Sequence, residues 1–202
     1  MEFVLASFNR DKLRELAALL DLPGLTLRPL GDVPGATAPE ETGATLRENA
    51  LLKARAALAQ TGRPALADDT GLEVDALGGR PGIRAARFAG PGATYESNRR
   101  RLLAELDGVE PARRTARFRC VCVACLPDGR ELAAEGVLEG RITTAPRGGS
   151  GFGYDPLFEV EDTGRTMAEL SEAEKNAVSH RARAVRALAA RLATALPELR
   201  AG

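Results

Sequence analysis

The side chains best able to handle a polyanion are few and grouped. Only three of the 28 Lys+Arg residues are lysines, Lys12, Lys53 and Lys175, and each stands beside polar residues. A lysine ammonium is a compact charge on a flexible stem, suited to reaching a phosphate oxygen from below or beside it. Two acidic doublets complement them: Glu40-Glu41, in a segment with prolines at 34 and 39, and Asp68-Asp69, directly after Pro64-Ala65-Leu66-Ala67. Magnesium uses one or two carboxylates of this kind while waters and phosphate oxygens complete its octahedron. Glu40-Glu41 taken alone reads better as a solvated loop doublet. Asp68-Asp69 followed by Thr70-Gly71 reads as a polar turn at a strand end, the usual place of a site in an α/β protein.

Three further segments carry chemistry. Ser7-Phe8-Asn9-Arg10-Asp11-Lys12 joins a strand-like run to a helix-like one, where backbone amides and a lysine can hold phosphate oxygens. It lacks the glycines of a P-loop, and Ser7 or Asn9 would also serve as a plain helix cap. In Gly148-Gly149-Ser150-Gly151-Phe152-Gly153-Tyr154-Asp155-Pro156, two aromatic residues stand amid glycines in a chain only 4% aromatic. Phe152 could stack on a flat base and Asp155 could accept hydrogen bonds from a base or sugar; the alternative is a flexible loop plugged by its aromatics. Lys175-Asn176-Ala177-Val178-Ser179-His180-Arg181 brings the third lysine to the only histidine at a helix start. His180 with Arg181 reads as a donor pair for an acceptor on a ligand. A serine triad has no Gly-x-Ser-x-Gly elbow to support it.

The elements that must position these residues follow from periodicity. Phe3 to Ala6 reads as a first strand, and Leu13, Leu16, Ala17 and Leu20 as the stripe of a first helix. Leu25 to Leu30 suggests a second strand, with 31–43 a loop. Thr45-Leu46-Arg47-Glu48 matches a capping box opening a helix with Leu46, Ala50, Ala54 and Ala57 on one side; Asn49 and Lys53, four apart, share a face. Pro64 to Ala67 reads as a short buried strand, 77–92 as irregular, and Thr94 to Leu106 as a helix. Arg117 to Leu126 and Arg130 to Leu138, joined across Pro127-Asp128-Gly129, predict a β-hairpin. A closing helix carries Val178, Val185, Leu188, Leu192 and Leu196. The expected fold is α/β, a long mixed β-sheet flanked by helices.

Bulk properties narrow the function classes. At 202 residues, 44% hydrophobic, one domain of two lobes is expected. Twenty-eight acidic groups match 28 basic ones, so nothing favours nonspecific binding to nucleic acid or an anionic membrane, and any polyanion site is local. No signal pattern or bilayer-length apolar run appears, and cytoplasmic residence is expected. Cys120, Cys122 and Cys125 fall in one strand-like run, with Cys120 and Cys122 on one face, and read as buried strand cysteines. Their spacing with His180 matches no familiar zinc pattern.

These blocks, in order, resemble the inosine triphosphate pyrophosphatase family, also called the Ham1-like or dITP/XTP pyrophosphatases. The resemblance is carried by Ser7-x-Asn9-x-x-Lys12, Glu40-Glu41-Thr42-Gly43 with Glu48-Asn49-Ala50-x-x-Lys53-Ala54, Ala67-Asp68-Asp69-Thr70-Gly71-Leu72, Leu77-Gly78-Gly79-x-Pro81-Gly82, Phe152-Gly153-Tyr154-Asp155-Pro156, and Glu174 to Arg181. It implies hydrolysis of nonstandard purine nucleoside triphosphates such as ITP, dITP and XTP to the monophosphate and pyrophosphate, with Mg2+, by a homodimer whose active cleft lies between two lobes. By position it implies that Ser7, Phe8, Asn9, Arg10, Asp11, Lys12 and Lys53 hold the triphosphate, that metal is bound by Glu41 and Asp69, with Glu40 the other acid of the doublet, and that Asp69 is the base. Thr70 would border the substrate, with Phe152, Gly153, Tyr154, Asp155, Lys175, His180 and Arg181 around the nucleotide. Phe8 and Arg10-Asp11 depart from the usual small residues. The rival readings are a Maf-type pyrophosphatase for pyrimidine or modified nucleotides and a noncatalytic nucleotide sensor.

Overall fold

Alternation along β1 (Glu2–Leu5) sends Phe3 and Leu5 into one apolar cluster and Val4 into another, so this strand is buried on both faces. The computed structural model describes residues 1–200, the side chains of Glu198 and Arg200 excepted. After β1 come α1 (Arg10–Leu19), β2 (Thr26–Pro29), α2 (Leu46–Thr61), β3 (Ala65–Val74), β4 (Pro81–Gly82), α3 (Tyr95–Glu105), β5 (Thr115–Cys125), β6 (Glu131–Ile142), β7 (Phe158–Val160), α4 (Glu172–Val178) and α5 (His180–Ala195). The strands form one mixed sheet in the order β2-β1-β3-β5-β6-β7, with β4 paired to β3. β1 runs parallel to β2 and β3, whereas β4 is antiparallel to β3 and β7 to β6. The expected mixed sheet flanked by helices is the observed architecture.

The chain divides into two compact units. One comprises Met1–Asp69, Cys120–Gly136 and the chain from Arg181 onward; the other comprises Thr70–Arg119 and Val137–His180. In the first unit the sheet is covered on both sides. Phe3, Leu5, Leu66, Cys120 and Cys122 pack with Leu16 of α1 and with Val185, Leu188 and Leu192 of α5. Val4, Ala65, Ala67, Val121 and Cys125 pack with Ala50, Ala54 and Ala57 of α2. That alanine stripe has no long side chain to hold the helix off the strands. In the second unit Leu72, Val74, Phe118, Leu138, Ile142 and Phe158 pack with Leu102 and Leu106 at the end of α3.

The hairpin of β5 and β6 closes through a turn in which the Leu126 amide donates to the Arg130 carbonyl at 2.9 Å. The α2 capping box is present in full. Cys120 and Cys122 share a face and Cys125 takes the other, each a free thiol; burial raises the Cys125 thiol to about 11. Among the described residues no helix is long and apolar enough to cross a membrane.

Several elements differ from expectation. β3 does not stop at Ala67 but continues through Asp68, Asp69, Thr70 and Gly71, so the aspartates lie in mid-strand rather than in a turn. Their charge is tolerated there because cations from three helices meet them, which no local propensity encodes. The closing helix is two helices: Ser179 adopts extended backbone (φ −61°, ψ 152°) between α4 and α5. Lys175 therefore sits in the last turn of a short helix, and His180 and Arg181 begin the next. Strand β7 went unassigned in the sequence, being only three residues long.

Candidate active site

Consecutive residues of a strand face opposite ways, and β3 uses this to separate its two aspartates. Asp68 faces α1 and α5: its Oδ2 lies 3.1 Å from Lys12 Nζ and 3.2 Å from Arg181 Nη2, while Arg181 Nη1 reaches Glu15. Asp69 faces α2: its Oδ1 lies 2.9 Å from Lys53 Nζ, and its Oδ2 accepts from Asn49 Nδ2 at 3.3 Å. The same Lys53 ammonium is 3.1 Å from Glu41 Oε1. Asn49 and Lys53 reach Asp69 together because four residues make about one helical turn. The Asn49 Oδ1 also accepts from the Gly43 amide at 2.8 Å, tying the 31–43 loop to α2. Any side chain at 43 would collide, since its Cβ would lie 2.7 Å from that Oδ1.

The electrostatics of the two aspartates are opposed. Burial works against the Asp68 charge, but Lys12, Arg181 and Lys53 outweigh it and hold the carboxyl far below the usual range. For Asp69 burial prevails, aided by repulsion from Glu41, and the carboxyl is raised despite Lys53 and Lys12. Lys53 is itself raised, because Asp69, Asp68 and Glu41 together overcome its desolvation. The two shifts are compatible: one ammonium is shared among several carboxylates. Among the described residues, these ion pairs set Glu15, Glu41, Asp68 and Asp69 against Lys12, Lys53 and Arg181, four carboxylates to three cations.

That excess lies on the Glu41–Asp69 side, and a hard divalent cation fits it. Of the loop doublet only Glu41 is brought to Lys53; Glu40 is exposed. The two doublets thus contribute one carboxylate each. Among the described residues no three His, Cys, Asp or Glu side chains are arranged to hold a metal, so an ion at Glu41 and Asp69 would draw its other ligands from water and phosphate oxygens.

At the start of α1, Asn9 is the N-cap: its Oδ1 accepts from the amides of Asp11 (2.9 Å) and Lys12 (3.2 Å), and Ser7 Oγ accepts from the Asn9 amide. The capping alternative therefore holds, and those amides are already taken. Phe8 and Arg10 are exposed, and Asp11 pairs with Arg14. Thr70 follows on β3, partly exposed.

In the second unit, the glycine-rich segment folds around a buried ion pair. Lys175 Nζ donates to Asp155 Oδ2 at 2.6 Å, and the Phe152 amide donates to the same oxygen at 2.9 Å. The Lys175 ammonium also stands 5.1 Å from the Phe152 ring centroid. Asp155 is thus engaged internally rather than held out as an acceptor, and the Tyr154 hydroxyl donates to the Ala85 carbonyl at 2.8 Å. Gly151 makes the close approach necessary: its φ is +75°, and a Cβ there would lie 2.1 Å from Asp155 Oδ2. Gly151→Ala is expected to lose about 2–4 kcal/mol of stability, from left-handed backbone strain and displacement of the pair; a urea midpoint equal to wild type would refute this.

The expected donor pair is divided. His180 belongs to the second unit, buried with its ring stacked on Phe118 (centroids 4.5 Å apart, 15° between planes), whereas Arg181 belongs to the first and is taken by Asp68 and Glu15. Sequence reasoning left out Asn49 as a partner of Asp69, although its spacing to Lys53 was the available signal. It also left out Glu15, for which there was none, because 166 positions separate it from Arg181.

Residues 3–191 match the family model described as the Ham1 family. A dITP/XTP pyrophosphatase of Thioalkalivibrio sulfidiphilus is 52% identical over 194 residues, covering 95% of this chain and 98% of that protein. A dITP/XTP pyrophosphatase of Nitratidesulfovibrio vulgaris is 53% identical over 191 residues, covering 92% of each. The structure of a HAM1 protein from Coxiella burnetii superimposes with a TM-score of 0.87 at 42% identity, covering 96% of this chain and 99% of that one.

Proposed function

The chain belongs to the Ham1 family, and from that premise we propose that it hydrolyses nonstandard purine nucleoside triphosphates, ITP, dITP and XTP among them, to the monophosphate and pyrophosphate, a nucleotide-pool sanitising activity. The observation that carries the reading is the meeting of Asp69, Glu41, Lys53 and Asn49 on one side of β3. Pyrophosphate release needs a base, positive charge for the triphosphate and carboxylates for a divalent ion; Lys53 supplies the charge, Glu41 and Asp69 the carboxylates, and Asp69 also the base.

Asp69 takes the proton of a water whose oxygen forms the new bond to the α-phosphorus. The bond from that phosphorus to the bridging oxygen breaks, and its electron pair leaves with pyrophosphate. Asn49 and Lys53, one on each carboxylate oxygen, hold Asp69 in place. Lys12 and Lys53 offset charge on the departing group, with the Ser7–Asp11 segment beside the phosphates. Mg2+ at Glu41 and Asp69 would neutralise phosphate oxygens and acidify bound water. Thr70 borders the phosphates, and Arg181 keeps Asp68 and Lys12 in register. The base is proposed to stack on Phe152, with Gly153, Tyr154 and the Lys175–Asp155 pair shaping that segment and His180 behind it. Rejecting ATP is a hydrogen-bonding problem: a donor matched to the oxygen at purine position 6 is left unpaired by the adenine amino group, a difference worth about ten thousandfold in kcat/KM. The working form is proposed to be a cytoplasmic homodimer of this single two-lobed domain.

Pyrophosphate release from ITP, XTP, GTP, ATP and dTTP, with and without Mg2+, tests the reading. ITP and XTP are expected to be cleaved at least about a hundredfold faster than ATP and dTTP, and only with the ion. Preference for dTTP would point to the Maf-type alternative, and binding without release to a nucleotide sensor.

A further inference from the structure

Helix α3 supplies no residue to the proposed reaction, yet one of its faces is fastened to the base segment. Tyr95, its first residue, places its ring 5.7 Å from that of Phe152, tilted by 39°, within the range of favourable aromatic pairs. Arg99, one turn further and on the same face, donates through Nη1 to the Gly153 carbonyl at 2.7 Å. Tyr95 is 39% exposed. Its position is held firmly. Thr94 Oγ1 accepts from the Ser97 amide at 3.1 Å and Ser97 Oγ accepts from the Thr94 amide at 2.8 Å, a reciprocal cap that leaves the first helical residue little freedom. Further along, Asn98 bonds the Ala86 carbonyl and the Ala89 amide, so the helix itself is anchored.

The Phe152 ring therefore has two close partners, the Lys175 ammonium and the tilted Tyr95 ring. A phenylalanine between glycines at 151 and 153 has little backbone restraint of its own, and both glycines adopt positive φ. We propose that Tyr95 is a positioning residue for nucleobase binding, bracing the Phe152 ring so that a purine stacks on it without first ordering the loop. This rests on the reading of Phe152 as the base-stacking residue. Ordering a side chain in advance shows in affinity, so the effect belongs to binding of the base and not to the bond-breaking step.

The test compares wild type, Tyr95→Ala and Tyr95→Phe in two assays. Binding of inosine monophosphate by calorimetry is expected to weaken about three- to tenfold in Tyr95→Ala, the range a ring pair contributes. It should be restored in Tyr95→Phe, which keeps the ring and loses only the hydroxyl. Inhibition by inorganic tripolyphosphate, which has no base, should be the same in all three, and with ITP the change should appear in KM while kcat stays within about twofold. Unchanged monophosphate binding in Tyr95→Ala overturns the proposal, as does equal weakening of tripolyphosphate binding or no monophosphate binding by wild type. Failure of the enzymatic reading looks different: wild type would bind inosine monophosphate with the Tyr95 dependence intact yet release no pyrophosphate from ITP.

Discussion

Asp69→Asn is expected to lower kcat for ITP by about a thousandfold or more while leaving the protein at least as stable as wild type. The substitution keeps the shape and removes the proton acceptor, and a positioned general base contributes about 10²–10⁴-fold; loss of a charge for the divalent ion adds to it. The stability half follows from the sign of the shift. Burial raises the Asp69 carboxyl above its unfolded value, so ionised Asp69 opposes folding at neutral pH, and its contribution turns more unfavourable as pH rises through the folded pKa. Asparagine relieves that penalty. The thermal midpoint at pH 8 should match or exceed that of wild type, as at other sites where function is held against stability. Near-normal turnover by Asp69→Asn would remove it as the base.

The neighbouring residue should behave in the opposite way. Asp68→Ala is expected to cost about 3–5 kcal/mol, since it leaves the buried Arg181 guanidinium with Glu15 in place of two carboxylates and takes from Lys12 the carboxylate beside it. For a chain of this length that corresponds to about 6–20 °C in thermal midpoint. Here the folded pKa is depressed, so the stabilisation is complete above the unfolded value of ~4 and fades as pH falls from there toward the lower folded value. The gap between wild type and variant should be constant from about pH 8 to pH 5 and narrow below about pH 4. A midpoint within 2 °C of wild type at pH 7, on the same ~2–4 °C per kcal/mol scale, would show that the pair does not hold this part of the sheet.

Much of the layout was legible along the chain. The strand–helix opening, the capping box at Thr45, the alanine stripe of α2 and the β5–β6 hairpin all rest on local pattern, and each is present. The pairing of Asn49 with Lys53 on one helical face was legible for the same reason. The reading failed where the deciding contacts are distant. A run of Asp-Asp-Thr-Gly resembles a turn, and nothing nearby announces that Lys12, Lys53 and Arg181 will hold its charges inside a strand. The break at Ser179 was missed because Val178 and Val185 keep helical spacing across it.

The residue types and their spacing by themselves pointed to an α/β frame and to a few lysines and carboxylates as candidates for meeting a phosphate-bearing ligand. Side-chain chemistry and helical or strand period are properties of short segments. Only the tertiary structure decided which aspartate is held as an ion and which is kept uneasy in its charge. That difference arises from strand alternation, which turns Asp68 toward two cations and Asp69 toward one shared ammonium, and from burial, which makes the imbalance count.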